Sequence, residues 1–250
     1  MSYTAELGKI IKQTKTLLQA ELDSGLELPE FKPPAVNKVP LPMPLPMPLP
    51  MPPSTPVTET LNDLKNSIGD CRRCKLCGRR KNIVFGEGAE NASIMFIGEG
   101  PGMDEDMQGR PFVGEAGQLL TRIIENGIGI KRDQVYIANI IKCHPPENRD
   151  PEKDEIEACI PFLKKQIEII RPKVICTLGR IAVRELLKRD FKITLERGRW
   201  LTYGNIPLMP TYHPAYILHN PGNEKKLKGE VWQDIQKVMS LLGIEVKKSS

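Results

Sequence analysis

Hydrophobic positions along this chain fall into three regimes. Over residues 4–22, Leu7, Ile10, Ile11, Thr14, Leu17, Leu18 and Leu22 recur at spacings of three and four, one stripe of an amphipathic helix. From Pro33 to Pro56 that pattern ends: eleven prolines fill the stretch, and Leu41–Pro52 repeats Leu-Pro-Met-Pro three times. Alternating proline removes every second backbone donor and fixes φ, so neither helix nor sheet is expected there. The expectation is a polyproline II spacer, with Pro40 to Pro53 reaching roughly 40 Å. From about Thr58 short apolar runs alternate with helical patterns. Ser93–Gly98, Val135–Ile140, Lys173–Leu178 and Ile206–Thr211 read as strands. Glu59–Ile68, Ala116–Asn126, Glu152–Ile170, Arg180–Lys188 and Lys226–Leu242 read as helices.

Strands separated by helices imply parallel pairing through right-handed crossovers, with both faces of the sheet covered. The expected fold class is α/β: a three-layer α/β/α domain over 58–250 with a central four-stranded parallel sheet. An amphipathic helix (1–32) and a proline-rich linker (33–57) precede it. Ligands of such folds bind beyond the carboxyl ends of the strands, so the residues there carry the functional argument.

Composition narrows the setting. No apolar run approaches the ~18–20 residues that span a bilayer, and the N-terminus lacks the apolar stretch and cleavage site of a secretory signal. A soluble, cytoplasmic protein with no membrane partner is expected, and nothing in the sequence requires more than a monomer. The net charge of +5 permits a nucleic-acid partner without demanding one. Arg72, Arg73, Lys75, Arg79, Arg80 and Lys81 crowd together, and on charge alone a solvated basic face accounts for them.

The strand ends are richer. After the first strand come Gly98-Glu99-Gly100-Pro101-Gly102, the acidic trio Asp104-Glu105-Asp106, then Phe112. Closely spaced glycines let a backbone approach a ligand, but neither the dinucleotide glycine pattern nor a phosphate-binding loop fits. Asn139 ends the second strand, where its amide would cap a turn or read a base edge. His213, held by Pro214, follows the fourth.

Six cysteines in a reducing compartment point away from disulfides. Cys71-x2-Cys74 with the distant Cys143 and Cys159 makes a four-thiolate site, for which zinc and an iron–sulfur cluster compete. Cys77 extends the run to a ferredoxin-like CxxCxxC, and Cys176 lies in an apolar strand where an inert thiol is usual.

Taken together, CRRC, GEGPGMDEDMQGRPFVGEAGQLL, NIIKCHPPENRDP, Cys159 and HPAYILHNP resemble the family 4 uracil-DNA glycosylases in order and spacing, from about Cys71 to Trp232. The resemblance implies a glycosylase that flips uracil from DNA and hydrolyses its N-glycosidic bond. It implies a [4Fe–4S] cluster on Cys71, Cys74, Cys143 and Cys159, with Cys77 and Cys176 as extras. Gly98, Glu99 and Gly100 would contact uracil, Phe112 would stack on it, Asn139 would pair with its edge, and His213 would stabilise charge growing on O2. The best-known uracil glycosylases carry a water-positioning aspartate where Gly100 stands, a gap that family 4 shares; Glu99, the nearest carboxylate, and Glu105 after it are the expected catalytic acids, and which group activates water stays open. Ile217 or Leu218 would fill the space the base vacates, in competition with core packing. A non-catalytic DNA-binding or polymerase-associated module stapled by a metal or iron–sulfur site is the rival reading. A covalent trap for uracil-DNA is disfavoured, because HPPENRDPEKDE lacks the basic, histidine-bearing insert of such proteins. The N-terminal extension is expected to recruit a repair or replication partner.

Overall fold

A computed structural model of the chain describes residues 59–245. The helix expected over 1–32 and the linker over 33–57 lie outside the described residues. Six strands form one sheet in the order β1-β3-β2-β4-β6-β5. They are β1 (Glu87–Gly88), β2 (Ile94–Gly98), β3 (Tyr136–Asn139), β4 (Val174–Leu178), β5 (Leu201–Tyr203) and β6 (Ile206–Thr211). The four expected strands are its parallel centre, β3-β2-β4-β6. Two antiparallel edge strands, β1 on β3 and β5 on β6, make the sheet six-stranded rather than four. They are two and three residues long, too short to leave an alternation in the sequence.

The helices are α1 (Leu61–Ile68), α2 (Met103–Gln108), α3 (Glu115–Arg122), α4 (Lys153–Ile170), α5 (Arg180–Leu187), α6 (Ile193–Glu196), α7 (Pro214–Leu218) and α8 (Glu224–Leu241). The short α2, α6 and α7 were not expected; each is too brief to show a helical period. The helix read over Ala116–Asn126 is α3 followed by a wider π turn, Ile123–Ile128.

Side chains alternate across the sheet and build one core on each face. Met95, Ile97, Ala138 and Ile175 face α1, α4 and α5, where Leu64, Leu163 and Val183 are fully buried. Ile94, Phe96, Ile137 and Met209 face α3 and α8, where Leu120, Ile235 and Val238 close the other layer. The strands are therefore buried on both sides, as uniformly apolar runs of parallel strands require. Chain direction across the sheet reverses at β2: β3 lies on one side of it, β4 and β6 on the other. A crevice opens beyond strand ends at such a reversal.

Candidate active site

The crevice is a cleft of about 660 Å³ lined by Glu99–Glu105, Phe112, Gly114–Ala116, Pro145, Asn148–Asp150, His213, Ala215 and His219. It gathers residues from the ends of β2, β3 and β6. A hollow of about 710 Å³ beside β1 is slightly larger. Three of its charges are engaged with one another, because Glu87 bridges Arg110 and Arg132, whereas the residues read from the strand ends gather at the cleft.

Close backbone approach shapes the floor. A Cβ on Gly98 would lie 2.5 Å from Asn139 Oδ1 and 2.6 Å from Phe112 Cζ; glycine is what lets these two side chains converge. Phe112 itself is buried and left-handed, with φ 52°, a conformation costing about 1–3 kcal/mol for such a residue. Two features hold it there. Gly117, in the first turn of α3, packs so tightly on the Phe112 backbone that a Cβ would come within 2.0 Å of its carbonyl. Glu105 accepts hydrogen bonds from Val113 N at 2.8 Å and Gly114 N at 2.9 Å with one oxygen, and from Gly102 N at 3.1 Å with the other. Its carboxylate thus clamps both ends of the loop carrying Phe112. The third acid of the trio, Asp106, is buried and accepts from Lys81 N and Asn82 N.

Asn139 is 1% exposed, and neither Oδ1 nor Nδ2 has a hydrogen-bond partner. A buried amide left in this state costs about 1–3 kcal/mol per orphaned group, so a folded protein keeps it only against a gain elsewhere. Thr177 Oγ1 is the other orphan among the described residues.

His213 caps the N-terminus of α7, where its Nδ1 accepts from Ala215 N at 3.2 Å. That bond fixes the tautomer: Nδ1 carries no proton, so Nε2 is the donor. The ring lies 5.5 Å from that of Phe112. Part of its surface opens on the cleft, yet protein encloses it on most sides. This burial pulls its pKa down to about 4, against the opposing pull of Glu105. At neutral pH it is an uncharged N–H donor.

Glu99 moves the opposite way. Burial, reinforced by Asp150, raises its carboxyl to about 7, and Arg180 and Arg184 offset only part of the shift. A carboxylate near neutrality in a cleft is poised to accept a proton.

Of the residues proposed as fillers of a vacated base stack, Ile217 is 1% exposed and belongs to the core under α8. Of the two uses weighed for Ile217, core packing is the one it serves in the structure. Leu218 is half-buried against the same core. The projecting side chain of α7 is Tyr216, 43% exposed, its ring centroid 5.2 Å from that of Tyr212 with the planes tilted by 34°.

Beside α1 and α4, Cys71, Cys74, Cys143 and Cys159 line one cavity with Arg73, Arg80, Lys142 and Phe162. Cys77 does not line it, and Cys176 is buried inside β4. Among the described residues, no three His, Cys, Asp or Glu side chains converge tightly enough to hold a single metal ion. Donors point at the sulfurs: Lys142 N lies 3.2 Å from Cys159 Sγ, Arg80 Nη1 is 3.6 Å from Cys143 Sγ, and the Leu76 N–H faces Cys74. Burial pushes the Cys143 thiol up to about 12 and Cys159 to about 11. The basic run is less free than its composition suggests. Arg72 and Arg80 pair with Asp70, and Lys75 pairs with Glu152 and Asp154.

Sequence reasoning missed Lys142 and Gln166, a buried pair behind Asn139, and Asp150 beside Glu99. No spacing signals a lone buried lysine; the polar positions within the otherwise apolar faces of NIIKC and α4 were the only trace.

Phe112 and a neutral imidazole donor line the switch-point cleft, and the unpaired Asn139 amide lies buried behind it, converging with Phe112 on Gly98; together they suit a planar, hydrogen-bonding ring. Residues 85–236 match the family described as the uracil DNA glycosylase superfamily. The chain is 47% identical over 193 residues to a type-4 uracil-DNA glycosylase of Saccharolobus solfataricus, covering 74% of this chain and 87% of that one. It is 46% identical to the type-4 enzyme of Sulfurisphaera tokodaii (73% and 85% covered) and 44% identical to that of Thermotoga maritima (74% and 95%). The chain belongs to the uracil-DNA glycosylase superfamily, in its type-4 branch. No described helix is long and apolar enough to cross a membrane.

Proposed function

We propose that this chain removes uracil from DNA by hydrolysing the N-glycosidic bond, leaving an abasic site for base excision repair. The observation that carries the reading is the buried, unpartnered amide of Asn139. Uracil presents N3–H and O4 side by side, so one amide accepts from the first and donates to the second. Cytosine presents the reverse pattern and leaves buried groups unpaired. Phe112 stacks on the base, and Gly98 gives it room. The duplex must first release the nucleotide, at a cost of a few kcal/mol. Tyr216 is suited to fill the gap, since an aromatic face replaces lost stacking.

As the bond breaks, electrons move onto uracil O2 and the sugar becomes an oxocarbenium ion. His213 donates its Nε2–H to that growing charge. Being neutral beforehand, it gains interaction in the transition state rather than in the ground state. Glu99 accepts a proton from the attacking water. Glu105 holds the loop and is a positioning residue in this scheme, which fits its three backbone bonds.

Cys71, Cys74, Cys143 and Cys159 are the residues to hold a [4Fe–4S] cluster. Four thiols around one cavity, with N–H donors aimed at sulfur, suit a cluster more than a single zinc ion, whose ligands must all lie ~2.3 Å from one point. The group would fasten the segment after α1 to α4; no catalytic step requires it. Residues 1–57 are read as a tether for a repair or replication partner.

Oligonucleotides carrying one uracil, cytosine or thymine, treated with the protein and then alkali, test the reading. Cleavage at uracil alone is expected. No cleavage of single or double strands would shift the reading to a non-catalytic DNA-binding module.

A further inference from the structure

One buried cation links the cysteine cavity to the base-reading strand. Lys142 is 1% exposed and lines that cavity. Its ammonium donates to the Asn139 carbonyl at 2.9 Å and to Gln166 Oε1 at 2.7 Å. Gln166 is fixed in turn by the bonds its Nε2 donates to Phe85 O and Tyr136 OH. Both acceptors of the ammonium are neutral. No carboxylate among the described residues pairs with it, and Cys71, Cys74, Cys143 and Cys159 share its cavity, with Cys159 Sγ 3.2 Å from the Lys142 backbone N–H. Burial favours the neutral amine, so a lysine kept charged at this depth needs an anion close by. The missing negative charge is therefore to be sought in the cavity.

We propose that Lys142 is the counter-ion of an anionic iron–sulfur cluster on the four cysteines and, through the Asn139 carbonyl, the positioning residue of the uracil-reading amide. The same side chain then faces two sites. Its charge answers the thiolates, and its hydrogen bond sets where the Asn139 backbone stops as β3 leaves the sheet. Gln166 orients the ammonium between them. This inference rests on the cluster and on Asn139 as the reader of the base.

Two variants separate the halves. Lys142→Gln removes the charge but keeps an amide donor; Gln166→Leu keeps the charge but removes the acceptor that orients it. Full-length proteins are purified without oxygen and their folding checked by thermal unfolding. The cluster's reduction potential is followed by spectroelectrochemistry, and KM and kcat for uracil-DNA are measured beside it. Loss of a nearby positive charge favours the more oxidised cluster, so Lys142→Gln moves the midpoint to more negative potential and Gln166→Leu leaves it in place. A folded but colourless Lys142→Gln counts the same way, because the anion has lost its counter-ion. Gln166→Leu lowers kcat/KM for uracil about tenfold through misplacement of Asn139, about what one lost hydrogen bond gives. An unchanged midpoint in Lys142→Gln, or equal shifts in both variants, overturns the counter-ion. Wild-type kcat/KM in Gln166→Leu overturns the positioning role. A colourless wild-type protein instead defeats the cluster reading itself.

Discussion

Replacing Asn139 by alanine is expected to separate stability from activity. A buried amide that is hydrogen-bonded within the protein stabilises it, and truncation then lowers stability. Here both side-chain atoms are orphaned, and each orphan costs about 1–3 kcal/mol. Alanine removes both and leaves a small cavity beside Gly98 and Phe112, whose cost opposes the gain. The net expectation is a change between zero and about 2 kcal/mol in the stabilising direction. At about 2–4 °C per kcal/mol for a domain of this size, the melting temperature should stay level or rise by up to about 8 °C. Excision should move the other way. Without the amide the site has lost both bonds to the uracil edge, and a site built to pair a polar ring discriminates through those bonds. A loss of about a hundredfold or more in single-turnover excision is the minimum consistent with two such bonds. Thermal unfolding without DNA and single-turnover cleavage of a uracil oligonucleotide read the two quantities. A fall in stability beyond about 2 kcal/mol would mean that the amide is paired in the free protein. Excision within tenfold of wild type would mean that it does not read the base; either result refutes the reasoning.

Glu99 predicts a pH profile. With its carboxyl raised to about 7, its base form fills only as pH climbs past neutrality, so single-turnover rates should rise to a plateau above about pH 7, and Glu99→Gln should flatten the rise. The same shift, upward from the unfolded value, means that the ionised form weakens folding. Stability tied to this group is present at acid pH and is lost as pH passes from about 4.5 to 7. Glu99→Gln should therefore stabilise the protein at pH 8 and not at pH 4, as pH-dependent unfolding would reveal. Cys143→Ser should abolish the broad visible absorbance of the purified protein and Cys77→Ser should retain it; a colourless Cys77→Ser protein would contradict the assignment of ligands. Tyr216→Ala should lower cleavage of duplex relative to single-stranded substrate about tenfold, the stacking of one base on one aromatic ring, and an unchanged ratio would remove Tyr216 as the wedge.

Where periodicity is long it was legible. The four parallel strands and the helices α1, α4, α5 and α8 could be read to within a few residues because buried parallel strands are continuous apolar runs and packed helices repeat every three or four. The edge strands β1 and β5 and the one-turn helix α7 escaped, being shorter than one informative window. At the site, residue types at strand ends pointed to Asn139, His213 and Glu99, because the fold gathers strand ends into one cleft. What they do there was less legible. Glu105 looks the same in sequence whether it serves as a base or as a clamp; the bonds it accepts from the backbone N–H groups of Gly102, Val113 and Gly114 form only after folding. The packing of Ile217 was hidden for a comparable reason. The one-turn helix α7 rotates it inward to the core and turns Tyr216 outward, an orientation no three-residue pattern specifies. Lys142 was hidden because its partners lie 3 and 24 residues away and become neighbours only through the crossover of α4.

The central claim is that a neutral His213 stabilises the departing uracil. Single-turnover excision from one uracil-containing strand, wild type beside His213→Ala, tests it most directly. The account predicts rapid cleavage by the wild type and a loss of about a hundredfold or more in the variant, the usual consequence of removing one donor to a developing anion, in a protein that stays folded at the assay temperature although it loses the cap of α7. Equal rates in the two proteins would contradict it.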